Sequence, residues 1–435
     1  MILLEKITAI LIAISVILCM GTGCEKNEPS DEKTPYTSVN PLSNPNATDE
    51  AKIVFDYICS VYKTGILAGQ QESTWINNNP NDEMEYILET TGKQPAIRGL
   101  DYINNDFDGV TARSIEWWEQ GGIVSICWHW GTPPKGVGYE SSKGTVDMTE
   151  LLTEGSDLYN GMIKQMDRVA EELLKLQDAG VPVLWRPFHE FDGGWFWWGK
   201  GTPEQFAELW RLMYDRYTNQ YGLNNLIWVL GYSHDVRDGN WFPGDEYVDI
   251  CGADNYATGT QLKMFNKIVD IWGSDRPIAY HECGPIPDPD MLIEEKAYWV
   301  WFLTWHTEHI KKQNSAENLD KIYNHEYVIT LDELPATLYS KQTENPTGST
   351  SSTGSEIVWG DANCDDNVDM SDAVLIMQSI ANPDKYGIDG SEPTHITSQG
   401  KLNGDVYENG SDITSNDALS IQKYRLNIID KLPEA

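Results

Sequence analysis

Two glutamates stand out because each follows an apolar run and has neighbours suited to acid–base chemistry. Glu190 lies in WRPFHEFDGGWFWWG (185–199), directly after His189, and Glu282 lies in IAYHECG (278–284). Cleavage of a glycosidic bond needs two carboxyl groups, one to protonate the leaving oxygen and one to attack the anomeric carbon or activate water. The two glutamates are the residue types that this reaction requires.

The surroundings of the two glutamates predict opposite ionisation states. Aromatic rings around Glu190 make a partly desolvated pocket, which raises the pKa of a carboxyl group and keeps it protonated. Arg186 and Tyr256 are hydrogen-bond donors that would keep Glu282 ionised as the nucleophile. The chain has 17 tryptophans, more than we expect a core of this size to need, and flat rings also hold the apolar faces of sugars.

Short apolar runs alternate with amphipathic ones and predict eight strands, at residues 65–71, 95–102, 121–130, 181–190, 225–232, 248–256, 277–284 and 298–305. Helical spacing of apolar residues covers 158–179, before Gly180. A second helix is predicted for 203–221, with Thr202 as its N-cap and Pro203 in its first turn. This alternation favours an α/β fold, a (β/α)8 barrel, although periodicity alone leaves a doubly wound sheet open.

A (β/α)8 barrel builds its active site at the C-terminal ends of its strands. The unusual polar and aromatic residues fall at those positions, namely His129, Trp130, Arg186, His189, Glu190, Asp254, Tyr256, Glu282 and Trp305. Asp101 and Tyr102 end the second strand, where they would at most line distal parts of a groove.

Composition excludes some classes of partner. The formal net charge of the 435 residues is −36, which argues against nucleic acid, because its binding depends on Lys and Arg neutralising phosphates. The same charge argues against attraction to an anionic membrane surface. The cysteines beyond residue 24 are scattered without metal-ligand or disulfide spacing and predict buried thiols.

The N-terminus has the pattern of a targeting segment. An apolar run at 7–20 follows Lys6, is shorter than a membrane span and precedes a polar, proline-containing stretch. We interpret residues 1–24 as a secretory signal peptide, not an integral membrane span, and 25–44 as a linker. The residues GTGC, ending at Cys24, loosely resemble a lipoprotein cleavage site, so lipid anchoring through Cys24 stays open beside free secretion.

A segment of Ser, Thr, Gly and Pro at 343–356 predicts a flexible linker between a catalytic domain at 45–342 and a C-terminal region at 357–435. The C-terminal region contains a weak repeat, 360–383 with 403–427. Oxygen-bearing side chains in the first copy have the spacing of a calcium loop, at Asp361, Asn363, Asp365, Asn367, Asp369 and Asp372. The second loop is one residue longer and has Tyr407 at its third position, which leaves Asp405 and Asp417 as its predicted ligands.

The motif around Glu190 resembles the acid/base motif of glycoside hydrolase family 26, whose best-known members are endo-β-1,4-mannanases. The resemblance covers roughly residues 45–340 and implies a (β/α)8 barrel, a retaining mechanism without a cofactor, Glu190 as acid/base and Glu282 as nucleophile. The resemblance also implies that five residues line the substrate cleft beside Arg186, namely His129, His189, Trp195, Tyr256 and Trp305.

The repeated loop-and-helix unit resembles a dockerin, the module that attaches bacterial plant-wall enzymes to a cohesin-bearing scaffold. This resemblance implies bound Ca²⁺ in the C-terminal region, a cohesin as partner, and an extracellular, cellulosome-associated enzyme.

Other functions remain open at this point. A β-1,3-1,4-glucanase (lichenase) or a β-1,3-xylanase would share the two glutamates, although His129 near the reacting sugar favours mannose and hence mannan. A non-catalytic polysaccharide-binding module would be expected to lose at least one of the glutamates. A scaffold component would need cohesin-like domains, for which the chain has no room beyond the barrel.

Overall fold

The computed structural model describes residues 41–76, 78–237, 240–338, 358–364, 367–388, 390, 392, 394–407, 413–425 and 428–434. The predicted signal peptide 1–24 with Cys24, most of the linker 25–44 and the linker 343–356 lie outside these residues, so they stay predictions.

Eight parallel strands form a closed barrel. In chain order, β1 to β8 are Ile66–Gln71, Ile97–Asp101, Ile123–Cys127, Val183–Arg186, Leu226–Tyr232, Ile250–Asn255, Ile278–Cys283 and Trp301–Thr304. Each strand pairs with the next, and β1 pairs with both β8 and β2, which closes the ring. A short β9, Val328–Ile329, pairs with the start of β1. The predicted (β/α)8 barrel is confirmed, and closure excludes the doubly wound sheet.

Helices connect the strands of the barrel. Helices α1 to α11 are Asp49–Val61, Asp82–Thr91, Phe107–Glu119, Tyr139–Ser142, Met148–Leu151, Asp157–Asp178, Pro203–Tyr214, Leu262–Trp272, Pro289–Glu295, Glu308–Gln313 and Ala316–Tyr323. Thr202 caps α7, accepting from the Gln205 N–H, and Pro203 stands in its first turn. The predicted helix 203–221 changes to a π-helical turn at Asp215–Gln220. Among the helices that the structure describes, none is long and apolar enough to cross a bilayer.

Most of the abundant tryptophans fill the core. The fully buried ones include Trp117, Trp130, Trp185, Trp197, Trp198, Trp210, Trp228, Trp299 and Trp301. Burial of rings of this size removes a large apolar area from water and stabilises the barrel. The expectation that the tryptophans exceed what the core needs is therefore wrong for most of them.

The residues before α1 belong to the barrel. Leu42 and Asn44 are buried, and the Ser43 N–H donates to Oδ1 of Asp249 at 2.5 Å. The Asn44 side chain donates to Oδ1 of Asn224 at 3.0 Å. The predicted linker 25–44 is therefore too long at its C-terminal end, because these contacts fix residues 42–44 to the base of the barrel.

The C-terminal region has its own small helical core. Helices α12 to α15 are Met370–Ala381, Pro383–Tyr386, Ser398–Gly404 and Ser415–Arg425. Buried side chains of α12, α15 and the segments before and between the helices form one cluster, made by Ala362, Ala373, Leu375, Ile376, Ile396, Val406, Ala418 and Ile421. The described part of the predicted repeat thus places one helix after each acidic loop.

Candidate active site

Glu282 is a buried carboxylate held by two donors from neighbouring strands. It lies near the end of β7, and only 2 % of its surface is exposed. Arg186, the last residue of β4, donates from Nη2 to Oε1 at 2.7 Å. The hydroxyl of Tyr256, directly after β6, donates to Oε2 at 2.5 Å. The two donors fix the orientation of the carboxylate, whose oxygens they contact one each.

Glu190 lies on the loop after β4 in an environment that favours the protonated acid. Its backbone has the left-handed φ of 54°, and its N–H donates to the carbonyl of Gly231 at 2.7 Å. Trp195 donates from Nε1 to Oε2 of Glu190 at 2.8 Å. Burial first, and then the negative charge of Glu282, raise the pKa of Glu190 to about 8. The side chain can therefore donate a proton at neutral pH.

Three acidic side chains meet at the mouth of the barrel. One carboxylate oxygen each of Glu190, Glu282 and Asp254 lie within 4.8 Å of one another. Asp254 is buried, 3.6 Å from Nη1 of Arg186 and 3.3 Å from Nδ1 of His281. Burial, followed by the charge of Glu282, raises the pKa of Asp254 well above its usual range. A raised pKa at Asp254 opposes the build-up of negative charge around the nucleophile.

A histidine pair lies beside Glu282. The Nε2 atoms of His189 and His129 are 3.2 Å apart, and Nε2 of His189 is 3.7 Å from Oε1 of Glu282. Burial first, and then the positive charge of His129, lower the pKa of His189 well below its usual range. His189 is therefore neutral, and it lies between His129 and the nucleophile.

Two partly buried tryptophans border the acidic groups. The ring of Trp195 lies parallel to that of His234, with 6.1 Å between ring centroids. Trp305 follows β8, and its ring centroid is 5.8 Å from that of His129. Trp299 and Trp301, which share its sequence segment, are fully buried, so Trp305 is the tryptophan of that segment at the mouth.

The rest of the aromatic cluster after β4 builds the loop that carries Glu190. Trp197 donates from Nε1 to the carbonyl of Trp130 at 2.8 Å, and Trp198 donates to the carbonyl of His189 at 2.9 Å. Both rings are fully buried. They fix the loop backbone, which explains why so many aromatic residues surround one carboxylic acid.

Two residues outside the predicted site contact it. Asp101 pairs with His129, whereas its neighbour Tyr102 is fully buried among Phe107 and Trp185 and belongs to the core. Asp254 stands two residues before Tyr256, so strand alternation places both on one face. Strand alternation therefore indicates from the sequence that Asp254 faces the site. The contact between Asp101 and His129 joins two strands, which a single sequence does not show.

The carboxylates predicted to bind calcium lie in the C-terminal region. Asp361, Asp372 and Asp417 are buried, Asn363, Asp369 and Asp405 are partly buried, and Asn367 is exposed. Asp365 lies outside the described residues. Asp372 accepts from the backbone N–H groups of Asn363 and Asp369 at 3.0 and 2.8 Å.

The second acidic loop has the same local arrangement as the first. Asp417 accepts from the N–H groups of Val406, Tyr407 and Thr414 at 2.8, 2.7 and 2.6 Å. Among the residues described in this region, no three acidic side chains bring their oxygens within 4.8 Å. The predicted ligands offer side-chain oxygens, the donor type that Ca²⁺ prefers.

The sequence pattern of glycosyl hydrolase family 26 matches residues 43–333. The chain belongs to this family. A family 26 resemblance inferred from the motif around Glu190 is thereby confirmed, and its matched span covers the whole barrel.

Similar proteins agree with the family 26 assignment. A mannan endo-1,4-β-mannosidase of Thermothelomyces thermophilus is 36% identical over 328 residues, which is 70% of this chain and 66% of that protein. The chain thus spans slightly less than two thirds of this relative. The crystal structure of a Podospora anserina family 26 β-(1,4)-mannanase with a further CBM35 domain has a TM-score of 0.63 at 36% identity. The match covers 71% of this chain and 72% of the Podospora anserina chain.

A different relative shares only a short stretch with the family 26 chain. A xylanase/β-glucanase of Ruminococcus flavefaciens is 61% identical over 77 residues, 18% of this chain and 10% of that protein. The length of this match is close to that of the chain after residue 357.

Proposed function

We propose that the chain is an endo-β-1,4-mannanase that cleaves internal mannosidic bonds with retention of anomeric configuration. The observation that carries this proposal is the pairing of Glu282, whose carboxylate accepts hydrogen bonds from Arg186 and Tyr256, with Glu190, whose pKa is raised to about 8. The two side chains bring their oxygens within 4.8 Å of each other. Retaining enzymes separate their carboxyl groups by about 5–5.5 Å, and inverting ones by about 6.5–9.5 Å to admit a water molecule.

The geometry supports a two-step reaction. Glu282 attacks the anomeric carbon while Glu190 transfers its proton to the departing glycosidic oxygen, which leaves a glycosyl ester on Glu282. Glu190, now ionised, takes a proton from water, which attacks the same carbon and releases the sugar from Glu282. Arg186 and Tyr256 take up the charge of the Glu282 carboxylate as it leaves in the second step.

Mannan is the proposed substrate because the relatives named above are called mannan endo-1,4-β-mannosidase and β-(1,4)-mannanase. The test is a reducing-sugar assay of the purified chain on mannan, lichenan, β-1,3-xylan and cellulose. We expect release from mannan alone, with the β-anomer appearing first in the NMR spectrum. Activity confined to lichenan would overturn the substrate, and initial release of the α-anomer would overturn retention.

We expect Trp195→Ala and Trp305→Ala each to lose about 1–3 kcal/mol of transition-state binding, because each removes an apolar ring that contacts a sugar at the mouth. The measurement is kcat/KM on manno-oligosaccharides. Leu88→Ala is the control, because this apolar side chain is 43 % exposed on α2. Loss of less than twofold for both Trp195 and Trp305 would remove the two rings from the binding site.

We further propose that the protein is secreted and that residues 357–435 form a dockerin which attaches the enzyme to a cohesin of a cellulosome scaffold. The support is the repeat of an acidic loop and a helix, with Asp372 and Asp417 in equivalent roles at the loop ends. The short match to the xylanase/β-glucanase, an enzyme of a different name, fits a module shared between enzymes. Asp361, Asp369 and Asp405, with Asp372 and Asp417, would hold Ca²⁺, which neutralises their charges.

We expect calcium to stabilise the C-terminal helices of the full chain, because the carboxylates within each acidic loop repel one another without a cation. Calorimetry should show a transition that rises in temperature with CaCl₂ and falls with EDTA, while the barrel transition and mannan hydrolysis stay constant. Asp361→Ala should weaken the calcium response and cohesin binding together. Asp384→Ala, at the start of the short helix α13, is the control. A calcium-independent transition would refute the calcium sites.

A further inference from the structure

Asp101 holds His129 by two contacts at once. The backbone N–H of His129 donates to Oδ1 of Asp101 at 3.0 Å, and Nδ1 of the ring lies 2.5 Å from Oδ2. The sheet builds this arrangement, because Asp101 ends β2 opposite Cys127, which ends β3 two residues before His129. The pairing therefore joins two neighbouring strands at the rim of the active site.

The carboxylate of Asp101 determines which ring nitrogen of His129 carries a proton. An ionised carboxylate only accepts hydrogen bonds, so Nδ1 of His129 must donate. Nε2 of His129 then faces Nε2 of His189 at 3.2 Å. Two ring nitrogens at that distance hold one proton between them, so the state of His129 determines that of His189.

The charged groups around His129 agree with a proton on Nδ1. Burial alone would lower the pKa of His129, but the charge and the hydrogen bond of Asp101 raise it above its usual range. The other titratable or charged groups that face His129 come from β3, from the start of α4, and from β4, β7, β8 and the loops after them, namely Cys127, Tyr139, Arg186, His189, Glu190, Glu282 and His306.

We propose that Asp101 is a positioning residue of the reaction, which holds His129 with its proton on Nδ1 and thereby orients His189 beside the nucleophile Glu282. This inference rests on the proposed function in which Glu282 attacks the sugar. Asp101 does not touch the reacting atoms; it acts through His129 and His189, and Nε2 of His189 lies 3.7 Å from Oε1 of Glu282.

The test compares Asp101→Asn with Asp108→Asn, the same substitution at an exposed position of α3. Asparagine at 101 can still accept from the His129 backbone, but its amide would donate to Nδ1 and move the ring proton to Nε2. We expect kcat on mannan to fall about 10–100-fold, as for other residues that orient a functional histidine, with KM changed less than threefold. Asp108→Asn should behave as wild type.

A double-mutant cycle and NMR of ¹⁵N-histidine protein separate positioning from a loss of fold. In a His129→Gln background, Asp101→Asn should lower kcat by less than a further twofold, because its effect passes through the ring. The wild-type spectrum should show Nδ1 of His129 protonated from pH 5 to 9, and Asp101→Asn should show protonated Nε2 near neutral pH.

Each outcome decides the inference. The inference would be overturned if the losses of kcat from the two substitutions multiply independently in the cycle. It would also be overturned by wild-type kinetics for Asp101→Asn, or by an unprotonated Nδ1 of His129 in the wild type. If Asp101→Asn does not fold, the wild-type spectrum decides alone. A wild type that is inactive on every polysaccharide would refute the proposed function instead, since the spectrum still reports whether Asp101 sets the proton position.

Discussion

Glu282→Ala should reduce turnover of mannan by at least about 10⁴-fold, because it removes the group that forms the covalent intermediate. The variant keeps Glu190 as an acid, so an external nucleophile can enter the space left on the side of the missing carboxylate. Azide should restore activity on an aryl β-mannoside and yield the α-mannosyl azide, in which the configuration is inverted. Product configuration by NMR is the measurement.

The matched control for this prediction is Glu294→Ala, an exposed glutamate of α9. It should retain turnover and show no response to azide. If azide fails to restore Glu282→Ala, or if the product is the β-azide, Glu282 is not the nucleophile and the roles of the two glutamates need to be reassigned.

Glu190→Ala should lose about 10²–10⁴-fold on mannan, the range expected for a general acid, yet lose far less on dinitrophenyl mannosides, whose leaving group needs no proton. The wild type should also lose kcat/KM as pH rises through about 8, because Glu190 must be protonated to act and its pKa is raised to that value. The sign follows from the role: an acid is active below its pKa.

Glu190→Gln tests the same assignment through pH. It should remove the decline near pH 8 for the activated substrates while leaving the fold intact, as judged by thermal unfolding. In Glu282→Gln, the pKa of Glu190 should fall, because the negative charge of Glu282 contributes to raising it. An unchanged alkaline decline in Glu190→Gln would assign that decline to another group.

The fold was predictable because its determinants are local and repeated. All eight strands were located from short apolar runs, and Thr202 with Pro203 marked the start of α7. The predicted strands extended too far, as at 181–190, where β4 ends at Arg186. Residues 187–190 continue the apolar and aromatic pattern of the strand, but Phe188 and Glu190 turn the chain with positive φ angles.

The site was predictable where one residue carries the chemistry, and less so where two distant residues share it. Glu190, Glu282 and Tyr256 could be placed from strand ends and motif. The pairing of Asp101 with His129 depends on the register between β2 and β3, and the raised pKa of Asp254 depends on burial beside Glu282. A single sequence shows neither the register between two strands nor the burial of a side chain.

The left-handed backbone at Glu190 sets a limit on how stable this barrel can become. A side-chain-bearing residue in that conformation is disfavoured by roughly 1–2 kcal/mol, which glycine would avoid, yet glycine cannot carry the proton. Selection for activity therefore maintains a position at which selection for heat tolerance would act in the opposite direction. Engineering for thermostability has to find its gains elsewhere in the barrel, because this strained position carries the proton and cannot change.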